Sequence, residues 1–127
     1  MDQKTFDEGL AIRRAVLGPE YVDASLKNAD EFSRPLQELV TQYVWGEIWS
    51  RPELDRRTRS IVNLGVLASM SRPYELKLHL RGALRNGVTR TEIREIFLQV
   101  AVYCGMPAAI EAFRAAREVF AELDQAK

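Results

Sequence analysis

The sequence predicts an all-α protein, a bundle of about six or seven short helices, and three observations carry that prediction. Apolar residues return at three-to-four spacing in most segments, strand-like alternation is scarce, and the breaks fall at glycine, proline and capping residues. Composition agrees, since 46% apolar and 28% charged residues are ordinary for a globular chain. A length of 127 residues suits one core, so the chain is read as a single domain over 1–127.

The elements follow in order. "QKTFDEGLAIRRAVLG" places Phe6, Leu10, Ile12 or Arg13, and Leu17 at helical spacing, and Gly18-Pro19 ends it. A weaker helix is expected over Tyr21–Asn28. "FSRPLQELVTQYVWGEIWS" puts Leu36, Leu39, Val40, Tyr43 and Val44 on one side, with Pro35 near the first turn. "RPELD" breaks the chain, and Asp55 is a credible N-cap for a helix through Met70. "SIVNLGVLASM", 60–70, is apolar nearly all round, with Asn63 almost alone as a polar member, so this helix is expected to be central. Pro73 suits the first turn of the next helix, which ends at Asn86-Gly87. Thr89-Arg90-Thr91-Glu92 reads as a capping box opening a helix to about Tyr103. After Gly105 and Pro107, Ala109, Ala112, Phe113, Ala116, Val119, Phe120 and Leu123 form a broad apolar stripe. Such wide stripes, rich in small residues, are expected to bury some of their surface against copies of the same chain.

Charge and cysteine usage narrow the classes. The 18 basic and 18 acidic residues cancel, which argues against a general nucleic-acid binder. Cys104 stands alone and cannot form an intrachain disulfide, which fits a reducing, cytoplasmic setting. The amino-terminal "MDQKTFDEGLAIRR" shows no signal peptide, and the 60–70 run is too short to span a bilayer, so a soluble protein is expected.

His79 is the sole histidine. Glu75 lies one helical turn before it, where a carboxylate raises an imidazole's pKa and favours the protonated, proton-donating form. The bland alternative is a half-buried helix histidine with a surface partner. A metal site is poorly supported, because no second histidine completes a ligand set.

"WGEIWSRPELDRRTR", 45–59, holds Arg51, Arg56, Arg57 and Arg59 against Glu53 and Asp55. Arg57 lies in line with Ile61, Leu64 and Ala68, so it should point to the core side and needs an anionic partner. A protein glutamate is one candidate; a substrate carboxylate held by bidentate contacts is the other. Glu47, between Trp45 and Trp49, either answers an arginine or, within apolar walls, acts as acid or base. In "VYCGMP", 102–107, Cys104 is expected to be buried and inert, and Tyr103 either aims its hydroxyl into a pocket or merely packs.

"RRAVLG" at 13–18, "WGEIWSRPELDRRTRS" at 45–60, "ELKLHLRGALRNGVTRTEI" at 75–93 and "VYCGMPAA" at 102–109 resemble the carboxymuconolactone decarboxylase family, in order, from about residue 6 to 122. The third motif is shared with the AhpD-like alkylhydroperoxidases of the broader superfamily. Their CxxCxxxH pattern would place cysteines at 72 and 75, where this chain has Arg72 and Glu75, so thiol peroxidase chemistry is disfavoured.

The resemblance implies an AhpD-like helical subunit in a ring-like homo-oligomer, commonly a hexamer. It also implies cofactor-free and metal-free decarboxylation of 4-carboxymuconolactone to the β-ketoadipate enol-lactone, within protocatechuate catabolism. On that basis His79, held by Glu75 or Glu47, donates the proton or hydrogen-bonds the developing oxyanion, with Glu47 the alternative donor. Arg51, Arg57 and Arg59 are the candidates for the remote carboxylate. Trp45, Trp49 and Tyr103 are expected to wall a drier pocket for the departing one. Two rivals stand beside this reading: a non-catalytic helical oligomer that binds a small carboxylate, and a decarboxylase of a related lactone.

Overall fold

The computed structural model describes residues 2–126, which hold seven α-helices, one π-helical segment and no strand. The chain divides into two compact units, one up to Arg56 and one from Arg57 onward. No helix among the described residues is long and apolar enough to cross a membrane.

In the amino-terminal unit, α1 spans Gln3–Leu17 and is capped by the Asp2 carboxylate, which accepts from the Lys4 amide at 3.1 Å. Gly18, at φ 95°, makes the turn that Pro19 closes as the first residue of α2, Pro19–Lys27. Helix α3, Arg34–Leu39, runs directly into a π-helical segment, Val40–Ile48. The wider turn shows in the Trp49 amide, which donates to the Val44 carbonyl five residues back at 3.0 Å.

This segment lies so close to α1 that the contact is backbone on backbone. A Cβ on Gly9 would stand 2.0 Å from the Thr41 carbonyl oxygen, and one on Gly46 would stand 2.5 Å from that of Thr5. Thr41, Trp45, Gly46 and Trp49 are therefore buried. The face expected to be internal is not: Leu36, Leu39 and Tyr43 are more than half exposed. The π-turn breaks the 3.6-residue register, and the buried side combines Thr41 and Gly46, which allow the backbone contact, with the two tryptophans.

In the carboxy-terminal unit lie α4 (Arg56–Ser69, apart from its first residue), α5 (Pro73–Arg85), α6 (Arg90–Cys104) and α7 (Met106–Gln125). The Thr89–Glu92 capping box opens α6 as expected, with both reciprocal hydrogen bonds formed. Leu64, Leu76, Leu80, Ile93, Phe97 and Val119 fill the core, and Phe113 meets Phe97 edge-on at 5.9 Å. Burying each large apolar side chain contributes roughly 1.5–3 kcal/mol. Arg81–Glu122 at 2.7 Å and Arg90–Asp124 at 2.7 Å tie α5 and α6 to α7 along the rim, beside a Lys77–Glu118 pair.

Helix α4 departs from the central position expected of it. Only Ser60, Leu64 and Ala68 are buried, while Val62, Val66 and Met70 on the opposite side are 44–53% exposed. One face is covered and the other is open, despite their similar hydrophobicity.

Candidate active site

His79 sits in the middle of α5, half-buried beside Leu76, Leu80 and Ala83 of the core. Across from it, Asn63 of α4 brings its side-chain Nδ2 to 3.2 Å from the imidazole Nδ1. Burial pushes the His79 pKa down to about 4, and the exposed carboxylate of Glu75 raises it only in part. This corrects the expectation of a protonated imidazole. The i, i+4 spacing does bring the Glu75 charge to bear on the ring, but desolvation outweighs it because Glu75 lies in solvent. His79 is a neutral base at pH 7.

The amino-terminal unit carries a pocket of about 520 Å³. Glu8, Ala11 and Ile12 of α1 form one side; Trp49, Arg51, Leu54 and Arg56 are among the residues opposite. Arg51 is exposed at its rim and pairs loosely with Glu53 at 3.7 Å. Trp45 and Trp49 are buried and stacked, their ring centroids 4.6 Å apart, and only Trp49 reaches the pocket lining. Glu47 is exposed, so the tryptophans do not enclose it in apolar walls.

Arg57 finds its anion within the protein. Its guanidinium pairs with Glu92, the same side chain that closes the α6 capping box, and holds that carboxylate below its ordinary range together with the Thr89 amide. Arg59, one turn into α4, is half-buried. Tyr103 is 79% exposed, so it is not packed into the core. Cys104, expected to be buried, is exposed at the carboxyl end of α6, because that last turn extends beyond the core-facing residues, which end at Val100. The candidates thus divide by unit: Trp45, Glu47, Trp49 and Arg51 in the first; Arg57, Arg59, Glu75, His79 and Tyr103 in the second.

Two polar residues stand out that the sequence reading did not place in a site. Arg13 on α1 is 4% exposed and donates to the Thr41 hydroxyl at 3.1 Å, while its Nε has no hydrogen-bond partner. Its occurrence at a helical core position of "RRAVLG" was the only available signal. Asn63 is the other, visible beforehand as a polar residue in an apolar helix. A smaller pocket of about 300 Å³ in the second unit is lined by Arg90, Arg94, Arg117, Phe113 and Phe120, with Arg90 lying 4.5 Å over the Phe120 ring. Among the described residues, no three histidine, cysteine or acidic side chains gather as metal ligands.

Comparison with known proteins places these residues in context. The chain is 52% identical over 112 residues to the nitrosuccinic acid decarboxylase of Metarhizium robertsii, covering 88% of this chain and 78% of that one. It is 42% identical over 122 residues to the 4-carboxymuconolactone decarboxylase of Acinetobacter baylyi, covering 96% and 91%. The 4-carboxymuconolactone decarboxylase sequence of Pseudomonas putida matches at 40% over 48 residues, 37% of this chain and 100% of that one. The carboxymuconolactone decarboxylase family model matches residues 34–118, a span that includes Glu47, Arg51, Asn63 and His79. With its helical architecture and these matches, the chain belongs to the carboxymuconolactone decarboxylase family.

Proposed function

We propose that the protein decarboxylates 4-carboxymuconolactone, releasing carbon dioxide and the β-ketoadipate enol-lactone in protocatechuate catabolism. One observation carries the reading: 42% identity to a 4-carboxymuconolactone decarboxylase across 96% of this chain and 91% of that relative. That the protein is a decarboxylase follows from the family and from the two relatives named for that activity. The substrate is the inferred part.

In this lactone the departing carboxylate sits beside a double bond conjugated with the lactone carbonyl. Breaking the carbon–carboxylate bond sends its electron pair through that double bond to the carbonyl oxygen, making a dienolate. A proton, ultimately from water, then adds to the carbon alpha to the carbonyl. The substrate supplies its own electron sink, so the reaction calls for no cofactor. A neutral His79 suits hydrogen bonding to the dienolate oxygen better than full proton transfer. Glu75 and Glu47 are the candidates for relaying the proton to carbon. Arg51 and Arg59 are the candidates for the remote carboxylate, ahead of Arg57, which Glu92 already engages.

The 52% identity to a nitrosuccinic acid decarboxylase favours a second reading. Nitrosuccinate also bears its departing carboxylate on a carbon attached to an electron acceptor, and loss of carbon dioxide gives a nitronate. Both molecules carry a CH2–carboxylate arm on that same carbon. Recognition of a succinate frame whose substituted carbon can pass charge to an oxygen serves either substrate.

The test presents each compound separately to the purified protein with chelator and follows carbon dioxide and product. A higher kcat/KM for the lactone supports the first reading, and a higher value for nitrosuccinate replaces it with the second. Turnover of neither by the folded protein favours the non-catalytic carboxylate-binding alternative. We also propose a cytoplasmic homo-oligomer, a hexameric ring, in which the whole chain acts as one functional domain. The exposed Val102, Tyr103, Met106 and Ile110, each more than half accessible, support assembly. Light scattering tests it, and a monomer at micromolar concentration overturns it.

A further inference from the structure

We infer that Asn63 is a positioning residue that fixes the His79 imidazole in the neutral form protonated on Nε2. The inference rests on the reading of His79 as a hydrogen-bond donor to substrate, but its structural part is tested independently of that reading.

Asn63 occupies an unfavourable place for its type. Asparagine is a poor helix former because its amide competes for backbone groups, and α4 around it reads Ile61, Val62, Leu64, Gly65, Val66 and Leu67. Its side chain instead crosses to α5, where Nδ2 lies 3.2 Å from His79 Nδ1. An amide nitrogen donates and cannot accept, so Nδ1 must present its lone pair. A neutral imidazole has one N–H, which is then on Nε2. Protonating the ring would set Nδ1–H against an N–H of the amide, donor against donor. Asn63 therefore disfavours the imidazolium by geometry, in addition to the burial of the ring. Glu75 is the charged group that acts in the opposite sense.

The consequence is chemical. With Nδ1 accepting from Asn63, the ring's one N–H is on Nε2, in a fixed orientation, as the donor for an oxygen that gains charge during decarboxylation. A ring free to exchange tautomers would present an acceptor to that oxyanion for part of the time, which repels rather than stabilises it.

Because His79 is the only histidine, protein labelled with 15N-histidine gives one pair of ring nitrogens in long-range proton–nitrogen spectra. The wild type at neutral pH is expected to show a protonated Nε2 and a bare Nδ1. Asn63→Asp replaces the donor with an acceptor and should move the proton to Nδ1 or produce the imidazolium; Asn63→Ala should leave a tautomer mixture. A wild-type spectrum with the proton on Nδ1, where the amide would present its oxygen instead, overturns the inference. So does an unchanged pattern in folded Asn63→Asp. The wild-type spectrum needs no variant to fold. Where the Asn63→Asp spectrum shows the neutral Nδ1–H form, kcat should also fall roughly tenfold or more with little change in KM, since that tautomer lacks the Nε2–H donor; the imidazolium keeps Nε2–H and should hold kcat. If the spectrum shows the Nδ1–H form and kcat does not move, the tautomer assignment stands and the role of His79 as donor to substrate falls.

Discussion

In the amino-terminal unit the buried nitrogen base is Arg13; in the carboxy-terminal unit it is His79. Desolvation lowers the pKa of both. Histidine starts at 6.5, close to neutrality, and at about 4 it has shed its charge by pH 7. Arginine starts far above neutrality, and a downward shift leaves it a cation under the same conditions. His79 therefore escapes the penalty of burial by becoming neutral, with the Asn63 amide facing its Nδ1. Arg13 keeps its charge with a threonine hydroxyl for hydrogen-bond company and an orphan Nε. The same burial yields a usable neutral donor in one unit and a standing energetic liability in the other.

The largest effect expected from breaking this contrast is catalytic. His79→Ala should lower kcat by roughly 10²–10³ while circular dichroism and oligomer size stay as in the wild type. An active, folded variant would return His79 to a purely structural role.

Gly9→Ala attacks the other side. The added methyl meets the backbone of Thr41 and Gly46, which no rotamer change can relieve, so α1 must move away from the π-helical segment and uncover Arg13. Overpacking of this kind should cost about 3 kcal/mol in urea denaturation. A loss under about 0.5 kcal/mol, the range of ordinary surface substitutions, would show that the close approach is readily relaxed.

Of similar size is a pH effect specific to His79. The unfolded imidazole binds its proton near 6.5 and the folded one only near 4, so between these values the unfolded state holds more protons. Stability should be fully present above 6.5 and fall as the pH drops toward 4, by about 3 kcal/mol in all. Glu92 and Glu122, whose arginine partners lower their pKa values, add losses only below their ordinary 4.5. Denaturation midpoints measured from pH 7 to 4.5 should therefore flatten in His79→Gln. An equally steep dependence in that variant would assign the effect to other groups.

The smallest expected change is a gain. Arg13→Met keeps most of the side-chain volume and removes a buried charge, and should raise stability by about 1 kcal/mol. A lowered midpoint would mean that the Thr41 hydroxyl satisfies the guanidinium better than its orphan Nε suggests.

Much of the helical outline was legible because it depends on local chemistry. Gly18-Pro19, Asn86-Gly87, the Thr89–Glu92 box and Gly105 all end or open helices where their backbone preferences require. The alanine-rich stripe of α7 is likewise buried, at Ala109, Ala112, Ala116 and Val119. The site was legible in residue type but less so in state. His79 and Glu75 were visible at i, i+4, yet their relative exposure set the sign of the pKa shift, and spacing does not encode exposure. The carboxylate that engages Arg57 lies 35 positions away at Glu92, where only packing of α4 beside α6 brings it.

By itself, the sequence determined the all-helical class, the places where the chain turns, the sole imidazole and the absence of a thiol pair beside it. These follow from backbone preference, side-chain period and the identity of reactive groups, all local properties. The tertiary structure alone decided that the π-helical segment meets α1 backbone to backbone at Thr41 and Gly46, that α4 buries one of two similar faces, and that Tyr103 and Cys104 meet solvent. It also decided that Asn63, rather than Glu75, meets His79 Nδ1 and that the ring is neutral. Each of these depends on which surfaces exclude water from one another, and that is a property of the packed chain rather than of any stretch of it.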